Sequence, residues 1–380
     1  FNGIKVHGPY KKAIDKIGFC FICLEKDTNY ANLLLKGLRG ELYPANFSGF
    51  EKMFGVQIEK DLIFGKKYKN FSQDIFKEIA DEIVTYRNSY KYVFPLLLLQ
   101  SKSDQNSSKN YNIAKSVFIE NNLPLQAVTL DVLKNSENFR WSIANIGLQI
   151  FAKSGGVPWI VKPKIPDCLI IGIGQAYNIE KRNNQSQIKK FFAYSVLTDS
   201  SGLYKDLVIL GDCEKQEDFL IDFTKNLKKI ILENKSNYSK FVIHTPFKIN
   251  KKVFRTIMTV IDEFDSERHN LSFVVMKINT KNKFFGFFQE SNSMVPYESS
   301  IIQISPNEYL LWFEGLQYHN PNIIKRISGP THIAIMYKSF STIEDKSLIQ
   351  DALNLSGANW RGFNAKSIPV SIYYCKLVAD

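Results

Sequence analysis

The feature that most constrains the fold is an alternation of amphipathic helices with short apolar strands early in the chain. Residues 73–88 carry apolar side chains on one helical face, with Ser72 as the expected N-cap. Residues 92–99 have the pattern of a buried strand, residues 111–121 that of a helix, and residues 125–130 that of a second strand. Strands that are joined by helices pair in parallel, so this rhythm predicts an α/β domain of the Rossmann-like kind.

The flanks of this region give two further expectations. The polar stretch of residues 101–112 is expected to be an exposed loop. A strong amphipathic helix at residues 137–153 is expected to stop at Gly155 and Gly156.

A second unit is expected to begin near Pro163, which gives a first domain of residues 1–162 and a second of residues 163–380. Its pattern of strands first, then alternating helix and strand, predicts a mixed α/β sheet. The expected helices lie near residues 216–234, 250–264 and 343–355, and the expected strands at residues 168–173, 191–197, 206–210, 241–244, 272–278, 332–337 and 370–378.

Charge gives the first indication of a partner. The chain of 380 residues has 49 Lys and Arg against 37 Asp and Glu, a formal net charge of +12. Such a surplus favours a polyanion, most often nucleic acid, although a basic protein without that partner is also compatible with it. The longest apolar run, residues 93–99, is too short to span a bilayer, and no signal peptide is visible, so no membrane contact is expected.

The cysteines argue against a zinc site. Cys20 and Cys23 form one CxxC pair, but no second pair stands at zinc spacing, and apolar neighbours indicate reduced thiols in a buried strand. The scattered histidines likewise give no metal motif. Five cysteines in a chain of this length favour a reducing, cytoplasmic compartment.

One set of polar residues could form a phosphate pocket. Tyr111 and Lys115 stand one helical turn apart, Gln126 begins the next strand, and Lys153 ends the following helix. Loops at the carboxyl ends of parallel strands form ligand crevices, where two lysines, an amide and a ring suit a terminal phosphate with a stacked base. Taken alone, the pattern is better explained by a solvated helix face.

The run of residues 141–159, WSIANIGLQIFAKSGGVPW, adds a family resemblance. It resembles the junction between the MID and PIWI domains of Argonaute proteins, and the Tyr-Lys-Gln-Lys set is similar to the 5′-phosphate pocket of that family. Residues 168–174, 241–247 and 359–380 resemble the first strand, a later central strand and the end of PIWI. We expect no separate N or PAZ domain in a chain of this length, and in this respect the chain resembles short prokaryotic Argonautes. The guide-phosphate residues that this resemblance implies are Tyr111, Lys115, Gln126, Asn145, Gln149 and Lys153.

The resemblance also implies an RNase H-like PIWI domain, whose active members hold two metal ions with four catalytic residues. At three of the four matching positions the sequence has Gly174, Pro246 and Lys376. Asp167 lies at the wrong end of the first strand and is interpreted as a turn residue. We therefore expect a degenerate centre that does not cleave.

An inactive short Argonaute implies particular partners. These are a guide, usually RNA, complementary single-stranded DNA, and an APAZ-containing effector with a TIR or sirtuin-like NADase or a nuclease, with higher oligomers on target binding and a role in defence. Guide and target backbones are expected to contact Lys248, Lys251, Lys252, Arg255, Lys277, Lys281, Lys283, Arg361 and Lys366. The carboxylate of Asp380 is a candidate ligand for Mg²⁺ at the guide phosphate.

Two alternatives stay open. One is an active nuclease that uses Asp199, Asp212 or Asp222, and the other is a Rossmann-like nucleotide-binding enzyme with an unrelated second half. The absence of GxGxxG and P-loop patterns counts against the latter. The aromatic run at residues 283–288 is interpreted as a core or partner-facing strand, and the run at residues 310–313 as core.

Overall fold

The chain was analysed as a computed structural model that describes residues 2–101, 103–182, 185–246, 249, 251–266, 271–290, 294–317, 329–339 and 343–379. It consists of two compact units. The first comprises Phe1–Trp159 together with Trp360–Phe363, and the second comprises Ile160–Asn359 together with Asn364–Asp380. The sequence places the boundary at residue 163 but contains no sign that residues 360–363 return to the first unit.

The described residues of the first unit form a parallel sheet in the order β2-β1-β3-β4 with helices on both faces. Its strands are β1 (Lys16–Leu24), β2 (Gln57–Tyr68), β3 (Val93–Leu99) and β4 (Gln126–Thr129). Its helices are α1 (Asn2–His7), α2 (Thr28–Leu38), α3 (Phe50–Phe54), α4 (Gln73–Asn88), α5 (Gln105–Glu120), α6 (Leu130–Lys134) and α7 (Ser136–Lys153). This is the predicted α/β alternation, with β3 buried along its whole length.

Local signals in the sequence explain where several of these helices begin and end. The Ser72 side chain accepts a hydrogen bond from the backbone N–H of Ile75 and caps α4, as predicted. Helix α7 ends before Gly155, whose φ of +87° favours glycine.

The predicted loop at residues 101–112 is wrong for most of its length. Helix α5 begins at Gln105, because Asp104 caps it by accepting hydrogen bonds from the backbone N–H and the hydroxyl of Ser107 at 2.8 and 2.7 Å. The sequence of this helix is mostly polar because its outer face is solvated, and this composition led to the prediction of a loop.

Side-chain alternation along β1 divides the core of the first unit between the two sheet faces. Phe19 and Phe21 pack on the face covered by α2, α3 and α7, whereas Cys20 and Ile22 pack against α4 and α5. Cys20 and Cys23 are free and buried, as predicted, and burial raises the pKa of both thiols. These cysteines are therefore core residues.

The described residues of the second unit form a mixed sheet in the order β10-β11-β12-β9-β8-β5-β6-β7. Strands β5, β8 and β9 pair in parallel, and the outer pairs are antiparallel. The strands are β5 (Cys168–Arg182), β6 (Gln185–Asp199), β7 (Tyr204–Cys213), β8 (Lys240–Pro246), β9 (Ser272–Asn279), β10 (Ile301–Ser305), β11 (Glu308–Leu311) and β12 (Thr331–Lys338). The helices are α8 (Gln216–Asn234), α9 (Lys251–Ser266), α10 (Asp345–Ser356) and α11 (Val370–Ala379).

The predicted strand at residues 370–378 is wrong, because these residues form helix α11. The isoleucine, valine and tyrosine residues of this segment favour a strand, but the segment folds as a helix that packs against β5 and β6. Gly172 makes the close approach possible, since a Cβ at this position would lie 2.3 Å from the backbone oxygen of Ser371.

The two aromatic runs differ in burial. Residues 310–313 are buried, which confirms their assignment to the core. Residues 283–288 are neither strand nor core, and Phe284, Phe285 and Phe287 are 45, 57 and 59% exposed. The prediction of a core segment or a strand at residues 283–288 is therefore wrong, whereas a partner-facing role for this segment stays a prediction.

No helix among the described residues is long and apolar enough to cross a membrane.

Candidate functional site

A cavity of about 740 Å³ opens in the first unit where strands β3 and β4 end. Helices α5 and α7 form its walls, in the crevice that a parallel sheet leaves at the carboxyl ends of its strands. Its polar lining consists of Ser101, Ser107, Ser108, Tyr111, Asn112, Gln126, Thr129, Ser142, Asn145, Gln149, Lys153 and Arg361. Five of the six predicted guide-phosphate residues therefore line one cavity, and Lys115 is the exception.

Lys153 is the centre of this lining. Its Nζ donates hydrogen bonds to the backbone oxygen of Leu125 at 2.6 Å and to Oε1 of Gln126 at 3.0 Å. The amide nitrogen of Gln126 in turn donates to the backbone oxygen of Ala127 at 2.9 Å, which fixes the orientation of the amide. A lysine from α7 is thus held against the start of β4.

The surroundings of Lys153 lower its pKa from the ordinary value of 10.5 to about 8. Enclosure by the cavity walls is the main cause, and the positive charges of Arg361 and Lys115 add to it. The residue nevertheless reaches solvent through the cavity mouth, so water screens its charge more than in a closed core. An anion that entered the cavity would relieve the repulsion among these three cations.

Lys115 lies beside the cavity, and its side chain contacts Tyr111. Its Nζ lies 5.6 Å from the centre of the Tyr111 ring, within the range of a cation–π contact. The two residues stand one turn apart on α5, which places them on the same face of the helix. The lysine therefore adds charge to the field at Lys153, while the half-buried ring of Tyr111 forms part of the wall.

Asn145 and Gln149 hold a segment from much later in the chain. Oδ1 of Asn145 accepts a hydrogen bond from the backbone N–H of Phe363 at 3.2 Å, and Nε2 of Gln149 donates to the backbone oxygen of Arg361 at 3.0 Å. The Phe363 ring also packs against Trp159, with 5.7 Å between ring centres. These amides thus fix the wall that carries Arg361, a residue that the sequence suggested only for backbone contact.

The sequence reasoning missed the hydroxyl groups in the lining. Ser107 and Ser108 reach the cavity because α5 begins at Gln105, and Ser142 reaches it from α7. Asp104 three residues before Ser107 is the capping pattern that could have revealed the earlier helix start.

The second unit brings together two of the predicted catalytic positions. Gly172 of β5 pairs with His244 of β8 in a parallel ladder, so Gly174 and Pro246 lie at the same level where β8 ends. Lys376 is on helix α11, which packs against β5. Gly174 and Pro246, the two positions at which the resemblance expects carboxylates, thus lie on neighbouring strands.

Tyr194 fills the space beside Gly174. A Cβ at Gly174 would lie 2.5 Å from ring carbons of Tyr194 and 2.7 Å from its hydroxyl oxygen. Tyr194 is fully buried, and its hydroxyl donates a hydrogen bond to the backbone oxygen of Cys375 on α11. A side chain at position 174 would require this ring to move.

The three aspartates of the nuclease alternative have other partners. Asp199 accepts hydrogen bonds from Ser201 and from the backbone of Leu203 in the turn after β6. Asp212 lies 2.7 Å from Nζ of Lys190, and Asp222 accepts a hydrogen bond from the Cys213 thiol. Within the described ranges, no group of three or more His, Cys, Asp or Glu side chains could hold a metal ion.

The predicted backbone contacts lie on several elements. Lys251, Lys252 and Arg255 are exposed on α9, Lys277 is on β9, and Lys366 lies 4.8 Å from the centre of the Tyr373 ring. Lys281 and Lys283 are exposed in the segment after β9. Lys248 and Asp380 lie outside the described residues.

A family model described as Piwi domain matches residues 96–380, which includes the cavity walls and the whole second unit. The chain belongs to the Piwi domain family. Because the match runs through both units, the alternative of an unrelated second half is wrong.

Two curated relatives agree with this assignment. The Piwi protein of Archaeoglobus fulgidus is 25% identical over 284 residues, which cover 69% of this chain and 63% of that protein. The protein argonaute of Cereibacter sphaeroides is 22% identical over 296 residues, covering 71% of this chain and 37% of that protein. The matched regions thus span less than two thirds of either relative.

Solved structures of the family share the fold. Drosophila Piwi superposes with a TM-score of 0.68 at 15% identity, covering 96% of this chain and 48% of that one. Clostridium butyricum Argonaute, solved with a guide DNA and a 19-mer target DNA, superposes with a TM-score of 0.69 at 18% identity, covering 99% and 50%. The predicted fold class, a Rossmann-like MID domain followed by an RNase H-like PIWI domain, is confirmed.

Proposed function

We propose that this chain binds a guide strand by placing its 5′ phosphate in the cavity of the first unit. The observation that carries the proposal is the position of Lys153. Hydrogen bonds to Gln126 and to the backbone oxygen of Leu125 hold this lysine inside a cavity that Arg361 also lines. A terminal phosphate brings about two negative charges at neutral pH. It would therefore compensate the burial and, after it, the repulsion by Arg361 and Lys115, which together lower the pKa of this lysine.

The rest of the lining suits the same ligand. Serine hydroxyls and amide groups can donate hydrogen bonds to phosphate oxygens, and such charge-assisted bonds are stronger than neutral ones. The described lining contains no carboxylate that would repel an anion. Tyr111 offers a ring face on which the first base of the guide can stack.

Mg²⁺ at the guide phosphate is not part of this proposal. Magnesium prefers carboxylate oxygens, whereas the described lining offers hydroxyls, amides and two cationic side chains. These residues do not fit the ion, and Asp380, its predicted ligand, lies outside the described residues. Within the described lining, the charges of Lys153 and Arg361 are available to neutralise the phosphate.

The paired strand is proposed to be single-stranded DNA complementary to the guide. The Clostridium butyricum Argonaute structure, which holds a guide DNA and a target DNA, supports the use of a guide and a target by this fold. An RNA guide is supported by the sequence resemblance to short Argonautes. Base pairing would supply the sequence specificity, and the protein would hold the backbone.

We further propose that the second unit does not cleave the target. The support is the buried Tyr194 ring, which occupies the space that a side chain at position 174 needs, together with Pro246 at the end of β8. A two-metal mechanism needs several anionic oxygens at one place. The described side chains do not provide them.

An inactive guide-binding chain needs a second protein to act on recognition. On the sequence resemblance we propose an APAZ-containing effector, with a TIR or sirtuin-like NADase or a nuclease, that is activated when a target pairs and that assembles into larger oligomers. Co-purification from the host tests this proposal. A stoichiometric second chain together with short 5′-phosphorylated RNA is the expected result, and isolation of the chain without either one contradicts it.

The guide site is tested by binding labelled RNA and DNA oligonucleotides that carry either a 5′ phosphate or a 5′ hydroxyl. Lys153→Ala and Lys115→Ala should reduce the preference for the phosphate. Lys77→Ala, which removes an exposed lysine from α4 in the same unit, should leave it unchanged. An undiminished preference in the Lys153 variant would refute the site.

Cleavage is tested with guide-loaded protein, a labelled complementary strand and either Mg²⁺ or Mn²⁺. The expected result is an intact target. Cleavage that disappears in Asp199→Asn, Asp212→Asn or Asp222→Asn would instead establish the nuclease alternative.

A further inference from the structure

The segment after β9 presents three phenylalanine rings to solvent. Phe284, Phe285 and Phe287 are each about half exposed, although large apolar side chains are ordinarily buried. Phe285 and Phe287 meet edge to face with 4.8 Å between ring centres, and Phe284 lies against the His332 ring at 5.6 Å. We call these three residues the phenylalanine platform.

The backbone beneath the platform is held firmly. The Asn282 side chain donates hydrogen bonds to the backbone oxygens of Asn279 and Pro330 at 3.1 and 2.7 Å, and it accepts one from the N–H of Phe284 at 2.9 Å. The side chain of the buried Asn279 accepts a hydrogen bond from the N–H of Lys281 at 2.8 Å. The rings are therefore exposed because ordered backbone directs them outward.

Gly286 anchors the centre of the platform. A Cβ at this position would lie 2.7 Å from the buried Trp312 ring, so the backbone rests directly on that ring. The residues on either side, Phe285 and Phe287, then point away from the core. A larger residue at position 286 would lift the platform from its support.

The charged residues around the platform indicate which class of ligand it could bind. Lys281 and Lys283 are exposed immediately before it, Glu290 follows it, and Glu308 lies 3.8 Å from His332. Within residues 281–288 the two lysines are the only charged residues. Exposed rings next to lysines are the combination with which proteins bind single-stranded nucleic acid, because bases stack on the rings and phosphates pair with the cations.

We propose that the phenylalanine platform binds the bases of single-stranded nucleic acid, while Lys281 and Lys283 contact its phosphates. The proposal shares with the proposed function the premise that nucleic acid is the partner, but it assigns a second binding site, in the second unit. Stacking is tolerant of sequence, so this site would hold a strand without reading it.

The test uses a 5′-hydroxyl oligothymidylate, which does not need the phosphate cavity. Changing both Phe285 and Phe287 to Leu keeps the apolar surface but removes the stacking faces. It should weaken binding at least about tenfold, since two base-stacking rings are lost. Changing both to Tyr, the matched control, keeps the rings and should leave binding within about twofold.

The lysines are tested by the salt dependence of binding. Changing both Lys281 and Lys283 to Gln should reduce the slope of log K against log salt concentration by about 1.4, at about 0.7 for each single-strand phosphate. An unchanged slope would contradict the phosphate contacts.

The outcomes separate this proposal from the proposed function. Lys153→Ala should reduce the 5′-phosphate preference and leave oligothymidylate binding intact. The leucine variant should keep the 5′-phosphate preference and weaken oligothymidylate binding. Equal binding by the leucine variant and the wild-type protein would overturn the platform. Sedimentation tests the other possible role of the rings. If the wild-type protein self-associates and the leucine variant does not, the rings form a contact between protein chains and the platform proposal is overturned.

Discussion

Raising the pH from 7 to 9 should weaken binding of a 5′-phosphorylated guide about tenfold. The pKa of Lys153 is lowered to about 8, so about nine tenths of the free protein carries the lysine charge at pH 7 and about one tenth at pH 9. If only the charged form binds phosphate, affinity falls by the same ratio. The phosphate itself keeps its charge over this range, because its second pKa is about 6.

The same pKa shift separates lost binding from lost folding. The folded-state pKa of Lys153 lies below the ordinary value of 10.5, so the unfolded chain binds more protons between pH 8 and 10.5. The contribution of this lysine to stability therefore rises with pH across that window. Weaker binding at pH 9 cannot be attributed to unfolding caused by Lys153.

Fluorescence anisotropy with matched 5′-phosphate and 5′-hydroxyl oligonucleotides measures the effect. The ratio of the two affinities should fall from pH 7 to pH 9 in the wild-type protein. It should stay level in Lys153→Arg, because a guanidinium does not titrate in this range. Parallel pH profiles for the two oligonucleotides in the wild-type protein would refute the role of this lysine.

Three further predictions concern stability and are measured by urea denaturation. Gly156→Ala should destabilise by about 1–3 kcal/mol, because a Cβ would lie 2.4 Å from the Phe151 ring; Gly3→Ala, with open space around it, should not destabilise. Asp351→Ala should cost about 2 kcal/mol, since its carboxylate accepts two backbone N–H groups at 2.6 and 2.9 Å; an unchanged midpoint would contradict this. Ser72→Ala should cost about 1 kcal/mol through the lost cap of α4, and Ser72→Asp should restore it.

The sequence predicted most of the sheet and its helices because their signals are local. Strand β3 is a continuous apolar run, and α4 has an apolar face preceded by a capping serine. Such patterns depend only on near neighbours, and they survive in the folded protein. Lys153 and Gln126 of the cavity could be named for the same reason, since each stands at the end of a well-marked element.

The errors arose where distant residues decide the structure. Residues 370–378 have the composition of a strand, but Gly172 lets a helix pack there, and that glycine lies about 200 residues earlier. The phenylalanines of residues 283–288 resemble core, but Gly286 resting on Trp312 directs them outward. Neither outcome follows from the local sequence, because the contacts that decide it are tertiary.

The return of Trp360–Phe363 to the first unit has a consequence for when the protein becomes functional during synthesis. Gln149 contacts a backbone oxygen 212 residues further along the chain. A ribosome adds residues in order at about 5–20 per second, so the α/β sheet of the first unit can form while one wall of its cavity does not yet exist. A nascent or prematurely terminated chain that ends before residue 360 would lack Arg361 and the partner of Gln149. The proposed ligand site would thereby be complete only after nearly all of the second unit has been translated.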